Sequence, residues 1–267
     1  VDLAEGYYPD VVSGWHKQMA GALKQMDPWK HLVVTHICLF WGFGNEMWAL
    51  PEIEYVQSDA YWDQNDKRTG DFRTDMGMRA SYQGKVRADA GNAPLFQKPF
   101  VFIEYGPLYI AVSGGKVSPE EFAQRFRIGM WTSAVIPNAG PGLYWYHQEW
   151  DKHQLYQYQK PLMKLFSGYD RRGRDLRLKN TVVVKGGAIR SIGMSDGTEG
   201  FFYVHNPEVM QQKREAITPI AEAKLYVYDT PTGMYDVEFI DTLTAETTGT
   251  VEVEVPEKRT RLMVDLP

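Results

Sequence analysis

The stretch KPFVFIEYG, Lys98 to Gly106, constrains the fold more than any other part of the chain. Five of the six residues from Pro99 to Glu104 are apolar, Val101 and Ile103 are β-branched, and the run ends on a carboxylate. Such a run suits a strand and is too short for a typical helix. Strands buried on both faces of a parallel sheet read as continuous apolar segments, whereas half-solvated strands alternate. A charge that closes this kind of strand, just before the turn signal Tyr105-Gly106-Pro107, sits at the rim of a sheet.

The flanking segments supply partners for it. Val12, Trp15, Met19, Leu23 and Met26 recur at helical spacing between residues 10 and 26, with Asp10 as a cap. Met26-Asp27-Pro28 ends that helix, because proline disfavours the α conformation in the residue before it. Residues 31–41 form an apolar, β-rich run, GFGNEMWALPE reads as a loop with a single helical turn, and residues 54–62 read as another strand. Residues 63–97 are polar and dotted with glycine, with a helical pattern from Met76 to Ala88. Ser118-Pro119-Glu120-Glu121-Phe122 is a strong helix start, with Ser118 as N-cap, Pro119 at the first position and Glu121 closing a capping box. Phe122, Phe126 and Met130 give that helix its buried stripe. Residues 139–147 read as a short strand and 158–170 as a closing helix, with Gly168 past its end.

This order of elements predicts an α/β architecture around a parallel sheet. The pattern changes near residue 170. NTVVVKG, EGFFYVHN, AKLYVYDT, MYDVEFIDT, GTVEVEVP and TRLMVDLP are short strands at regular spacing, punctuated by DGTEG, TPTG and TTG. They predict an antiparallel β-sandwich, so the expected units are residues 1–170 and 171–267, divided in GYDRRGRD.

Composition excludes several functions. The 267 residues carry a net charge of −5 and no basic run, so the electrostatic footprint of a nucleic-acid binder is missing. No apolar run approaches the ~18 residues of a membrane span. The single Cys38 lies in an apolar run and reads as core. Eight Trp and sixteen Tyr leave two readings open, larger core side chains or a cleft lined with flat apolar surfaces. His16, His31, His36, His147, His153 and His205 show no metal-ligand spacing. His147, His153 and Asp151 group most closely, and read as a polar loop. No metal or cofactor is expected, and no phosphate-binding or dinucleotide fingerprint is present.

Three strands bring acidic and aromatic groups to their ends: Glu104; Trp145, His147, Glu149 and Trp150; and Asp59, Tyr61 and Trp62. Aromatic faces stack on the C–H surface of sugar rings, while carboxylates bind hydroxyls and carry out acid/base or nucleophilic work.

In this order the segments resemble the clan A glycoside hydrolases, retaining enzymes built on a (β/α)8 TIM barrel. Trp15 to Val33 resembles the segment after barrel strand 4, YVQSDAY strand 6, KPFVFIEYG strand 7 and GLYWYHQEW strand 8. The tail from Ala223 onward is similar to β-sandwiches appended to such barrels. The resemblance implies a barrel of which only strands 5 to 8 are present, followed by the sandwich. It makes Glu104 the nucleophile, gives Tyr61 a hydrogen bond to it and sets Trp145 beneath the sugar. Asp59 stands where many members carry histidine. The family's acid/base glutamate, in an Asn-Glu pair after strand 4, would fall before Val1. Asn45-Glu46 is the one such pair here, so Glu46 is a candidate acid/base, substrate contact or ordinary loop carboxylate. Glu5 and Glu149 are weaker candidates for the acid/base.

The resemblance therefore implies hydrolysis of β-linked poly- or oligosaccharides. The alternative is a carbohydrate-binding or structural fragment that lacks its acid/base. The expected partners are a carbohydrate, and either an absent N-terminal half-barrel or a second copy that covers the exposed edges. Export, to the periplasm or beyond, is expected by resemblance alone.

Overall fold

The computed structural model describes residues 9–37, 45–60, 98–106, 118–206, 220 and 222–267. The expected helix over residues 76–88 and the expected burial of Cys38 lie outside these residues.

Helix α1, Pro9–Met26, leads to strand β1, Val34–Ile37. A four-residue helix α2, Asn45–Trp48, precedes β2, Tyr55–Ala60, and β3 spans Phe100–Tyr105. The three strands form one parallel sheet in the order β1-β2-β3. Helix α3, Pro119–Ala134, begins as its sequence demands: Ser118 Oγ accepts from the Glu121 backbone N–H at 3.2 Å, and Pro119 needs no partner at the first position. Phe122, Phe126 and Met130 are all buried, and each contributes about 1.5–3 kcal/mol by leaving water. Tyr105 joins α3 to β3, its ring fully buried and its hydroxyl donating to the Phe126 carbonyl at 2.8 Å.

The remaining elements are α4 (His147–Lys152), a 3₁₀ turn (Leu155–Tyr158), α5 (Gln159–Phe166) and eight strands. These strands are β4 (Arg177–Leu178), β5 (Thr181–Val184), β6 (Arg190–Ser195), β7 (Gly200–His205), β8 (Lys224–Tyr228), β9 (Gly233–Ile240), β10 (Thr247–Val255) and β11 (Arg261–Asp265). They form three antiparallel sheets, β4-β6-β7, β11-β8-β5 and β10-β9.

This architecture corrects the expected (β/α)8 barrel with an appended sandwich. The described residues hold a three-stranded parallel sheet, and a barrel closes only when strand number, tilt and shear agree, at eight strands for this type. The expected strand over residues 139–147 makes one isolated bridge, Tyr105 to Tyr144, and His147 onward is helical. Among the described residues, the helix between β1 and β2 is the single turn α2. Downstream the strands divide into three small sheets instead of two facing ones. The result is a mixed, sheet-rich fold. An apolar run specifies a buried strand but not how many strands join it, and that number decides between a barrel and a small open sheet.

Among the described residues two hydrophobic cores hold the fold. The first gathers Trp48, Ile53, Phe100, Phe102, Tyr105, Phe126 and Trp131, and extends past residue 170 to Ile192 of β6 and Tyr203 of β7. The Trp131 and Tyr203 rings stack with centroids 6.2 Å apart. The second gathers Leu225, Val227, Val255, Leu262 and Val264. Helix α1 is set against the first core through Ala20, and its Lys24 pairs with Glu54 at 2.5 Å. The apolar stripe of α1 faces outward: Trp15, Leu23 and Met26 are 49%, 55% and 79% exposed, and Trp29 and Leu32 continue the patch. Among the described residues no helix is long and apolar enough to cross a membrane.

Candidate functional site

The C-terminal ends of β1, β2 and β3 bring three chemical side chains together. On β1, His36 is the register partner of Gln57. Alternate residues of a strand share a face, so His36 lies on the face of β2 that carries Gln57 and Asp59. Its Nε2 stands 2.6 Å from Asp59 Oδ1.

Glu104 reaches this face through an irregularity. Ser58 pairs with Phe102, but the next residue, Asp59, pairs with Glu104, so Ile103 is an extra residue in β3. An unbroken ladder would set Asp59 beside Ile103. The extra residue is a β-bulge, a device that re-aims side chains and recurs beside active sites. Here it aligns Glu104 with Asp59, and a ring nitrogen of His36 and a carboxylate oxygen from each of Asp59 and Glu104 all lie within 4.8 Å of one another.

The supports are local. Trp48 Nε1 donates to the Thr35 carbonyl at 3.4 Å, tying α2 to β1. Lys98, at the entry to β3, donates to the carbonyls of Trp48 and Leu50 at 2.5 and 2.6 Å. Burial lowers the Lys98 pKa from its ordinary value. On the other side of β3, Leu143 N–H donates to the Phe102 carbonyl, Tyr105 N–H to the Leu143 carbonyl and Trp145 N–H to the Tyr105 carbonyl, at 2.9–3.0 Å. Gly106 follows at φ +149, a backbone that glycine tolerates best, and a Cβ there would meet the Tyr146 ring at 3.0 Å.

Asp59 is 1% exposed, and a carboxylate so buried is tolerated only with a close partner. His36 provides it. Burial of the imidazole opposes protonation, but the hydrogen bond to Asp59 and the charges of Asp59 and Glu104 outweigh it, so the His36 pKa is raised above the histidine value. The 2.6 Å separation is that of a hydrogen bond between His36 and Asp59, and Glu104 lies alongside the pair.

The other expected residues are placed variously. Trp145 is half exposed on the segment bonded along β3, and its neighbour Tyr144 packs beneath on Tyr105 at 5.1 Å. His147 is exposed at the start of α4. Glu149 pairs with Lys152 at 3.1 Å and His153 at 2.8 Å. Trp150 packs on Phe126 and Tyr156, at 5.2 and 5.8 Å, which makes it part of the scaffold. Glu5, Tyr61, Trp62 and the Glu46 side chain lie outside the described residues.

Sequence reasoning missed His36. Its signal was present: a lone titratable side chain within the apolar run LVVTHI, residues 32–37, one residue before the end of β1. Its partnership with Asp59 depends on strand register, which the sequence does not display. No family model matches this chain, and no curated protein matches it.

Proposed function

We propose that the chain hydrolyses β-linked oligo- or polysaccharides with retention of anomeric configuration, using Glu104 as the nucleophile. The observation that supports this reading is the bulge in β3, which sets Glu104 beside Asp59 at the end of a buried strand. A rigid carboxylate in that position suits attack on an anomeric carbon. The exposed Trp145 ring on the adjoining segment is a suitable surface for a sugar face. In such a reaction the Glu104 oxygen bonds the anomeric carbon as the glycosidic bond breaks, the leaving oxygen takes the electron pair and a proton, and water then cleaves the glycosyl ester.

Retaining hydrolysis also requires a proton donor. Asp59 is buried and bound to His36, and Glu149 is engaged by Lys152 and His153. Glu46 therefore stays the candidate, as acid/base or as a substrate contact. The same observations favour a second reading, a carbohydrate-binding unit that holds a sugar without cleaving it. In either reading the outward apolar stripe of α1 favours self-association, since contiguous exposed apolar surface marks interaction sites.

Turnover of a panel of aryl β-glycosides separates the two. The hydrolase reading expects release of the aglycone with a β-configured sugar as first product, abolished by Glu104→Gln. Retention on a polysaccharide matrix with no turnover, unchanged by Glu104→Gln, supports the binding reading and contradicts the hydrolase.

A further inference from the structure

The ends of β1, β2 and β3 each present one side chain of a kind that binds metal ions. The imidazole of His36 stands on β1, the carboxylate of Asp59 on β2 and that of Glu104 on β3. A ring nitrogen of His36 and one oxygen from each carboxylate lie within 4.8 Å of one another. Among the described residues no other three His, Cys, Asp or Glu side chains converge in this way. Acidic pairs alone are common on protein surfaces; here the imidazole and the near-complete burial of Asp59 set the cluster apart. Three strands of one parallel sheet supply the groups, so backbone pairing fixes their spacing.

We propose that these side chains form a binding site for one divalent transition-metal ion, zinc above all, with His36, Asp59 and Glu104 as its protein ligands. Imidazole suits zinc and its first-row neighbours, whereas magnesium and calcium take oxygen ligands. Zinc holds nitrogen and oxygen at about 2.0–2.2 Å, which sets tetrahedral ligand atoms about 3.3 Å apart. From 4.8 Å at most, the widest gap closes by no more than about 1.5 Å, within reach of a side-chain rotation. His36 and Asp59, 2.6 Å apart, open slightly as the ion takes the place of their hydrogen bond. Asp59, 1% exposed, anchors the inner side of the site. The His36 side chain is 26% exposed and leaves a way in from solvent, where water supplies the fourth ligand. Asp59 and Glu104 have further interactions, which is the ordinary condition of ligating carboxylates.

Binding of the ion stands apart from the glycosidase reading, and one consequence rests on that reading. An ion on Glu104 occupies the carboxylate that would attack the anomeric carbon, so zinc and sugar compete for it.

The test titrates zinc chloride into the chain, dialysed free of metal, by isothermal calorimetry at neutral pH. One ion per chain is expected, with much weaker binding of magnesium chloride. His36→Gln and Glu104→Gln are each expected to weaken zinc binding by about 100-fold or more, since losing a ligand costs at least as much as losing a ligand's hydrogen-bond partner. Cobalt(II) chloride reports the ligands by absorption: the parent should develop visible d–d bands that both variants lack. Near-UV dichroism shows whether each variant keeps its fold, and Glu104→Gln, at a partly exposed position, carries the test alone if His36→Gln unfolds. A parent that binds no zinc, a folded variant that binds it as tightly as the parent, or magnesium bound as tightly as zinc overturns the site. Fluoroglycoside labelling then separates this proposal from the nucleophile: zinc should slow labelling of Glu104 and a chelator should restore it. Labelling that bound zinc leaves unslowed overturns Glu104 as a ligand. A chain that binds zinc through these ligands but accepts no sugar overturns only the nucleophile, and a labelled chain that binds no zinc overturns only the metal site.

Discussion

Gly129→Ala separates helix propensity from packing and tests the contact that holds α3 against β3. Gly129 is buried within α3, and a Cβ added there would lie 2.1, 2.4 and 2.7 Å from Cε2, Cδ2 and Cζ of Tyr105. Real Cβ atoms do not approach so closely, so the ring or the helix must move. The ring is fully buried, its hydroxyl is held by the Phe126 carbonyl at 2.8 Å, and Tyr144 packs on it at 5.1 Å. The helix must therefore lift from the strand that carries Glu104. By propensity alone, alanine in place of a mid-helix glycine gains about 1 kcal/mol. Overpacking costs about 1–3 kcal/mol and more where neighbours cannot yield. Packing is expected to win, leaving a net loss of about 1–2 kcal/mol, or a fall in Tm of roughly 2–8 °C for a chain of this size. Urea denaturation followed by tryptophan fluorescence measures the difference directly. In a Tyr105→Leu background the cost should shrink, because the obstructing ring is gone. A Gly129→Ala chain as stable as its parent, or more stable, refutes the packing argument.

Three further outcomes follow from the same structure. Lys98→Met should destabilise the chain by about 1–3 kcal/mol, because the carbonyls of Trp48 and Leu50 lose the ammonium that both accept from; equal stability in urea contradicts that clamp. Asp59→Asn should have a pH-dependent cost: a raised His36 pKa stabilises the fold fully below the unfolded histidine value near 6.5 and loses that contribution as pH rises through the folded value. The stability gap between parent and variant should thus be widest in mild acid and narrow in mild base, and a gap that widens with pH contradicts the raised His36 pKa. Trp15→Lys with Leu23→Lys, on the exposed stripe of α1, should reduce concentration-dependent association in sedimentation velocity without loss of helix content; a parent chain that stays monomeric at high concentration contradicts the association.

Local signals in the sequence translate directly into structure where the chemistry is local. The apolar run ending at Glu104 is a buried parallel strand, Ser118 caps α3 as its hydroxyl allows, and the alternating segments after residue 176 pair antiparallel. The closing helix is shorter than its pattern, Gln159–Phe166, with Gly168 beyond it at φ +81. What the sequence does not carry is partnership. The run at 139–147 has strand composition, yet glycine and proline confine it to one bridge beside β3 and release His147 into a helix. The periodic stripe of α1 marks an apolar face but not which way it turns, and the small side of the helix, at Ala20, is the one that packs inward. The barrel expectation fails for the same reason, since sheet closure is a property of strand number. In the candidate site Glu104 and Asp59 were both legible as carboxylates at strand ends. Their alignment was not, because it depends on the single extra residue Ile103 in β3. Nor was the contact of His36 with Asp59, which appears only when β1 and β2 are laid in register.

The central claim is that Glu104 attacks sugar, and its most direct test is mass spectrometry after incubation with a panel of activated 2-deoxy-2-fluoro-β-glycosides. The account predicts that one sugar of the panel adds a single fluoroglycosyl mass to the intact chain, and that the proteolytic peptide containing Glu104 carries it. An adduct on another residue, Asp59 included, or a folded chain that no sugar of the panel labels, would contradict it.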